Sequence, residues 1–266
     1  MKKCFYFLLL VAAMACNKDE RPVQSLVTDK RTVQMKRMVS EGLPSPYFQF
    51  TYDSNNYVSR IEHAAGLLQY DLQYENGRLV RMTNNTFVNK DVLVYNYQSN
   101  QVSRIDLIEA NGKKIKEAEL VYDAQQRLQE LRWKEMNADF SASLTRKLVF
   151  SYDQQNNISR YDDYRNLGSG LELVQTHLYE KYDDKINAEA NFLIKDVFEH
   201  FLFLPQIQLQ KNNPLLEKII GKQNDWSVAY SYFYSNGLPV TRNATVTQTR
   251  GSNSGAVIKT SSAYGY

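Results

Sequence analysis

The sequence predicts a mainly β protein: a large antiparallel meander of repeated hairpins forming a curved sheet or a barrel, with one short helical insertion. Three observations carry this. Five segments share the pattern apolar-x-Tyr, short polar turn, apolar-x-Arg-apolar. A second set of turns lies between the copies, so every strand is flanked by turns at both ends. Tyrosine is unusually abundant, with 19 Tyr against 2 Trp and 3 His, and aromatic and β-branched residues suit pleated, half-buried surfaces.

The chain opens with Met1-Lys2-Lys3, an apolar run from Cys4 to Leu10, and Val11-Ala12-Ala13-Met14-Ala15-Cys16. That run is shorter than the roughly 20 residues a membrane-spanning helix needs. A positive start, a short apolar core and small residues at the cut describe an export signal. Ala13-Met14-Ala15-Cys16 resembles the lipobox of bacterial lipoproteins. The resemblance implies cleavage before Cys16, with diacylglycerol on its thiol and further acylation of the new amine. Cys4 leaves with the signal, so Cys16 is expected as the sole mature thiol, without a disulfide partner. Acylation removes a thiol that an oxidising compartment would make a liability. Several acyl chains also hold a membrane where one alone is marginal. The charged run Asn17-Lys18-Asp19-Glu20 is a solvated tether by composition. It also resembles the signal that sends Bacteroidetes-type lipoproteins to the outer face of the outer membrane. The expected organisation is residues 1–15 as signal peptide, 16–29 as lipidated tether, and 30–266 as one β-repeat domain with an insertion at 187–222.

Charge excludes one partner class. Two of the 32 basic residues leave with the signal, and 29 acidic residues remain, so the mature chain is nearly neutral. No basic surplus suggests nucleic acid.

The repeats run Phe50–Ile61, Leu72–Met82, Tyr95–Ile105, Leu120–Leu131 and Phe150–Tyr161, with weaker copies at 182–186 and 234–238. Each reads as a hairpin. The intervening turns are Ala64-Ala65-Gly66, Asn84-Asn85, Asn111-Gly112, 166–170 and 251–255. The meander should have about 13–15 strands. Pairing across each turn sets Tyr52 opposite Val58, Tyr74 opposite Leu79, Tyr97 opposite Val102 and Tyr152 opposite Ile158. Uninterrupted alternation then sets Phe50 against Arg60, Leu72 against Arg81, Tyr95 against Arg104 and Phe150 against Arg160. In the fourth copy Leu120 meets Glu130, which breaks the pattern. On this register Arg60, Arg81, Arg104 and Arg160 share a face with Tyr52, Tyr74, Tyr97 and Tyr152. Such a Tyr/Arg surface lays arginine stems over aromatic neighbours and would make a strip for a glycan or protein partner.

These copies resemble the tyrosine-aspartate repeats of Rhs-type proteins. Nearly the whole mature chain resembles an uncharacterised Bacteroidetes lipoprotein family described as having a porin-like fold. The carriers are the lipobox, the Tyr-turn-Arg copies, Tyr182-Asp183-Asp184-Lys185-Ile186-Asn187, Asn212-Asn213, and Tyr232-Phe233-Tyr234-Ser235-Asn236-Gly237-Leu238-Pro239. The fourth copy departs from the pattern, lacking Arg after Gln129. The resemblance implies a large curved sheet or barrel and no established activity.

The insertion interrupts the repeats. Apolar residues at 193, 194, 197, 198, 201 and 202 have helical spacing, ended by Pro205. This predicts a helix over 191–204 that plugs or covers the apolar face, or closes over a ligand as a lid. Asn213-Pro214 could cap a second helix, but the resemblance favours a strand there.

No catalytic constellation is expected. Gly251-Ser252-Asn253-Ser254-Gly255 has Asn where a nucleophile elbow needs Ser. His63, His177 and His200 lack paired metal-ligand spacing. Asp162-Asp163 and Asp183-Asp184 are neighbours that a strand points to opposite faces, and neither sits in an alternating acidic calcium loop. No Gly-rich phosphate loop is present, and no cofactor or metal is implied. The expectation is an outer-membrane, lipid-anchored and surface-facing protein that binds or scaffolds without catalysis. The alternative is a carrier holding an apolar molecule inside the curved sheet.

Overall fold

The computed structural model describes residues 33–87, 90–189, 192–193, 202–205 and 207–266. The export signal, Cys16, the charged tether and His200 lie outside the described residues. Sixteen antiparallel strands close a barrel. They begin with β1 (Arg37–Ser40), β2 (Phe48–Tyr52), β3 (Val58–His63), β4 (Leu68–Glu75), β5 (Arg78–Asn84) and β6 (Val92–Gln98). The wall continues with β7 (Gln101–Ile108), β8 (Lys114–Tyr122), β9 (Leu128–Met136), β10 (Ala142–Tyr152), β11 (Ile158–Asn166) and β12 (Leu171–Ile186). It ends with β15 (Asn212–Gly221), β16 (Asp225–Ser235), β17 (Leu238–Arg250) and β18 (Val257–Gly265). Every wall strand pairs with its chain neighbour, except that β12 pairs with β15 and β1 closes the ring on β18. The wall exceeds the expected strand number because β1, which precedes the first repeat copy, adds a strand that closes the ring.

The Tyr-bearing turns gather at one end of the barrel. Where the turn begins with Asp, its carboxylate organises the loop. Asp123 Oδ1 accepts from the backbone N–H of Gln125 and Arg127, both at 2.9 Å, and Asp53 and Asp153 repeat the arrangement. Two residues before the next strand the backbone is left-handed: Asn56 at φ 67°, Gln126 at 63°, Asn156 at 65°. Asn76-Gly77 instead makes a two-residue turn with both φ values positive, the hairpin geometry that matches strand twist.

The expected Tyr pairings hold: Tyr52 faces Val58, Tyr74 faces Leu79, Tyr97 faces Val102 and Tyr152 faces Ile158. The next pairings do not. Arg60 faces Thr51 rather than Phe50, Arg81 faces Gln73 rather than Leu72, Arg104 faces Asn96 rather than Tyr95, and Arg160 faces Ser151 rather than Phe150. In the fourth copy Glu130 faces Val121 rather than Leu120. A β-bulge one residue past the turn inserts an extra residue in each copy and moves the rest of the strand's side chains to the other face.

The bulge sorts the repeat radially. Tyr52, Tyr74, Tyr97 and Tyr152 pack against the core, as do Val58, Ile61, Leu79, Met82, Val102 and Ile105. The arginines face outward into ion pairs: Arg60 Nε–Asp71 Oδ1 at 2.7 Å, Arg104 Nε–Asp106 Oδ1 at 3.0 Å, Arg160 Nε–Asp162 Oδ2 at 2.9 Å. Exposed Arg81 stands between Gln73 and Val94.

The tyrosine hydroxyls tie successive repeats together. Tyr97 donates to the Leu79 carbonyl at 2.9 Å, Tyr122 to Val102 at 2.7 Å, Tyr152 to Leu128 at 2.7 Å and Tyr182 to Ile158 at 2.6 Å. Each acceptor is the first apolar residue past the preceding repeat's turn, at the bulge, where the ladder is interrupted. The hydroxyl thus gives a donor to a carbonyl at the bulge.

The insertion corrects the helical expectation. Its described residues contain a two-stranded pairing of β13 (Phe192–Leu193) with β14 (Leu202–Phe203), and no helix. The remaining residues of 191–204 lie outside the described ones. Asn187 and Ala188 are buried where the chain leaves the wall, and the chain is again in the wall at β15, which includes the strand expected over 214–221. Leu202, Phe203 and Leu204 are at most 3% exposed, with Ile207 and Leu209 also in the core. The Phe203 carbonyl accepts from the buried Tyr95 hydroxyl at 2.8 Å. Leu202, Phe203 and Leu204 are consecutive and all buried, so this extended stretch hides side chains on both its faces, as a strand enclosed on both sides does.

Outside, the wall is mixed, with Leu173, Ile220, Phe233 and Val257 exposed beside polar and charged residues. Thr241, Asn243 and Thr245 alternate with inward Arg242 and Ala244 on β17. On β8 and β9, outward Glu119 pairs with Lys134, and Arg132 Nε bonds Glu130 Oε2 at 2.7 Å.

Candidate functional site

The lumen has two halves. The faces of β2–β9 and the plug make the apolar one. Strands β10–β12 and β15–β18 turn polar groups inward. Arg146, against the Trp133 ring at 5.3 Å, makes a bidentate pair with Asp163, Nε–Oδ1 and Nη2–Oδ2 both 2.8 Å. Arg165 adds a second cation to the same carboxylate at 3.2 Å. Glu217, 5% exposed, accepts from the Tyr230 hydroxyl at 2.6 Å and contacts His177 Nδ1 at 2.6 Å. His177 stacks on Tyr161 with centroids 4.1 Å apart.

A cavity of about 240 Å³ lies between the plug and this polar wall. Tyr179, Tyr230, Tyr232, Arg242 and Tyr264 line it from the wall, and Glu189 from the plug. Asn187 sets the geometry: its Oδ1 accepts from the Glu189 N–H at 2.8 Å, turning the chain so that Glu189 reaches Arg242. Glu189 Oε1 takes Arg242 Nη1 at 2.9 Å and the Tyr264 hydroxyl. Arg242 Nη2 also donates to Ser262 at 3.2 Å. Below, Asn213 and Asp183 join the wall, Asp183 accepting from the Asn213 backbone at 3.0 Å and from the Tyr234 hydroxyl.

Burial raises the pKa of Tyr179, Tyr232 and Tyr264 well above 10.0, while Arg242 pulls the last two back only in part. Burial and then the Glu217 charge do the same for Tyr230. These hydroxyls stay protonated in any ordinary medium. The cavity therefore offers hydroxyl donors, aromatic faces and one internally neutralised ion pair.

The barrel resembles two solved porin-like proteins. One, from Bacteroides uniformis ATCC 8492, has a TM-score of 0.55 at 11% identity over 82% of this chain and 88% of that one. The other, from Bacteroides vulgatus ATCC 8482, has 0.56 at 12% identity over 88% and 99%. No protein-family model and no curated protein matches the chain. At such identities the likeness is one of fold. A porin-like fold describes this barrel's strand ring but not its faces. A membrane barrel carries an apolar band outside and a polar lumen. Here the main apolar cluster is inside, and outside charged and hydroxyl residues interrupt the exposed Leu173, Ile220, Phe233 and Val257.

The structure separates the sequence-derived binding face. Tyr52, Tyr74, Tyr97 and Tyr152 lie inside and Arg60, Arg81, Arg104 and Arg160 outside, so they form no shared strip. The rings that do meet arginine meet others: Arg78 over Tyr97 at 5.3 Å and Arg127 over Tyr152 at 4.6 Å. Asp162 and Asp163 do point oppositely, to Arg160 and to Arg146. His63 packs between Tyr47 and Phe48, its ring 4.6 Å from each. Among the described residues no group of three or more His, Cys, Asp or Glu is placed to hold a metal. The cavity residues were missed, although Tyr230-Ser231-Tyr232-Phe233-Tyr234 carried a signal. Tyrosines at alternate positions on a strand point to one face.

Proposed function

We propose that the chain is an outer-membrane lipoprotein, anchored through Cys16 and facing the cell exterior, whose barrel stands in water and acts as a non-catalytic binding module. The observation that carries the binding reading is the polar cavity between the Glu189 turn and the tyrosines of β12, β16 and β18. The ion pairs on the outer wall, at Arg60–Asp71 and Lys134–Glu119 among others, support a tethered rather than embedded barrel. The N-terminal sequence supports the anchor. The apolar-carrier reading fares less well, because Leu202, Phe203 and Leu204 already occupy the apolar half of the lumen.

Two measurements test this. Metabolically supplied palmitate should label the wild type and leave Cys16→Ser unlabelled; label on that variant would sink the anchor. The soluble Cys16→Ser chain should be stabilised thermally by at least one member of a broad panel of small polar solutes. Ala188→Phe, which fills the cavity from the plug, should abolish that shift. A shift that survives the filling would place binding elsewhere.

A further inference from the structure

Most interior tyrosines have their hydroxyls engaged. Those of Tyr52, Tyr95, Tyr97, Tyr122, Tyr152, Tyr182 and Tyr266 donate to backbone carbonyls, and those of Tyr230, Tyr234 and Tyr264 to carboxylates. The hydroxyls of Tyr179 and Tyr232 are different. Both side chains are half-buried and line the cavity, and neither hydroxyl has a hydrogen-bond partner among the described residues. Two donors without a protein acceptor therefore line one small space.

The rest of the lining narrows what would answer them. Among the described lining residues the charged side chains are Arg242 and Glu189, which neutralise each other at 2.9 Å. Its rings provide flat faces for C–H groups, and Gln210 and Asn213 add amides at the rim. A cavity of about 240 Å³ that opens to solvent has room for one six-membered ring with its hydroxyls.

We infer that the cavity takes a neutral polyhydroxylated ring, a single sugar unit, with the Tyr179 and Tyr232 hydroxyls bonding its hydroxyl groups and Tyr230 or Tyr264 against its C–H face. This deepens the binding reading above and rests on it. The sugar could be a free monosaccharide or the end of a glycan chain. Both present the same chemistry.

Ligand-observed NMR and calorimetry on the full Cys16→Ser chain test it. The probes are neutral hexoses and N-acetylhexosamines, their methyl glycosides and short oligosaccharides, the matching uronic acids, and neutral and charged amino acids. Neutral sugars should bind, with uronic acids no tighter. Tyr179→Phe and Tyr232→Phe, which keep the ring, should each weaken binding about five- to tenfold, the worth of one hydrogen bond. Ala188→Phe should abolish it, and melting curves establish that each variant is folded. Oligosaccharides binding as well as monosaccharides would indicate a chain end, and monosaccharides alone a free sugar. Amino acids binding where sugars do not would overturn the sugar assignment and leave the binding reading standing. No probe binding the cavity would overturn both. Undiminished sugar binding by the two Phe variants would also overturn the assignment.

Discussion

The tyrosine of each repeat does two jobs with one side chain. Its ring packs against the core, and its hydroxyl reaches back to the carbonyl at the preceding repeat's bulge, across 18 residues for Tyr97 and 24 for Tyr152. This explains why phenylalanine does not serve at these positions. Tyr122→Phe should keep the fold but cost about 1–3 kcal/mol in denaturant unfolding, because the Val102 carbonyl is left unanswered in a dry place. Arg60→Ala removes an ion pair on the wet outer face and should cost about 0–1 kcal/mol. Equal losses would mean that the hydroxyl tie contributes nothing special. The position of the tyrosine was legible in the sequence. Its acceptor was not, because a bond to the previous repeat depends on how neighbouring hairpins stagger.

At the scale of the element, the hairpins were read correctly up to the first pair past the turn and then by one residue wrongly. The signal was present. Each copy has apolar residues three apart after its turn: Val58 and Ile61, Leu79 and Met82, Val102 and Ile105, Leu128 and Leu131. Plain alternation would put them two apart, so the spacing of three marks the bulge. The plug was harder, because a segment wrapped by apolar wall shows neither clear period. Its contribution can be measured. Phe203, fully buried, should cost about 3–5 kcal/mol when changed to Ala. A loss below that would mean that the plug packs loosely and the barrel stands without it. Placement of the cavity was beyond sequence reasoning for a related reason: it depends on where a returning loop meets strands that lie far along the chain.

At the scale of the whole molecule, the buried tyrosines set a limit on alkaline stability. Burial raises Tyr70 to about 12, with the Asp91 charge adding to it, and raises Tyr266 to about 12. Burial drives Tyr95, Tyr122, Tyr152, Tyr179 and Tyr264 higher still. For an acid whose folded pKa lies above its unfolded value of 10.0, the folded state is favoured in full below pH 10. That advantage falls as pH rises from there to the folded value, because the unfolded chain releases its protons first. With many tyrosines coupled to one closed ring, ionisation should come with unfolding, in one steep step between about pH 10 and 12. Tyrosinate absorbance and circular dichroism followed together through an alkaline titration should change at the same pH. The exposed tyrosines alone should ionise earlier, as a minor phase. Gradual ionisation of most tyrosines near pH 10 with the β signal intact would contradict a closed, filled barrel, because rings lining a wide aqueous channel would titrate as they do in water.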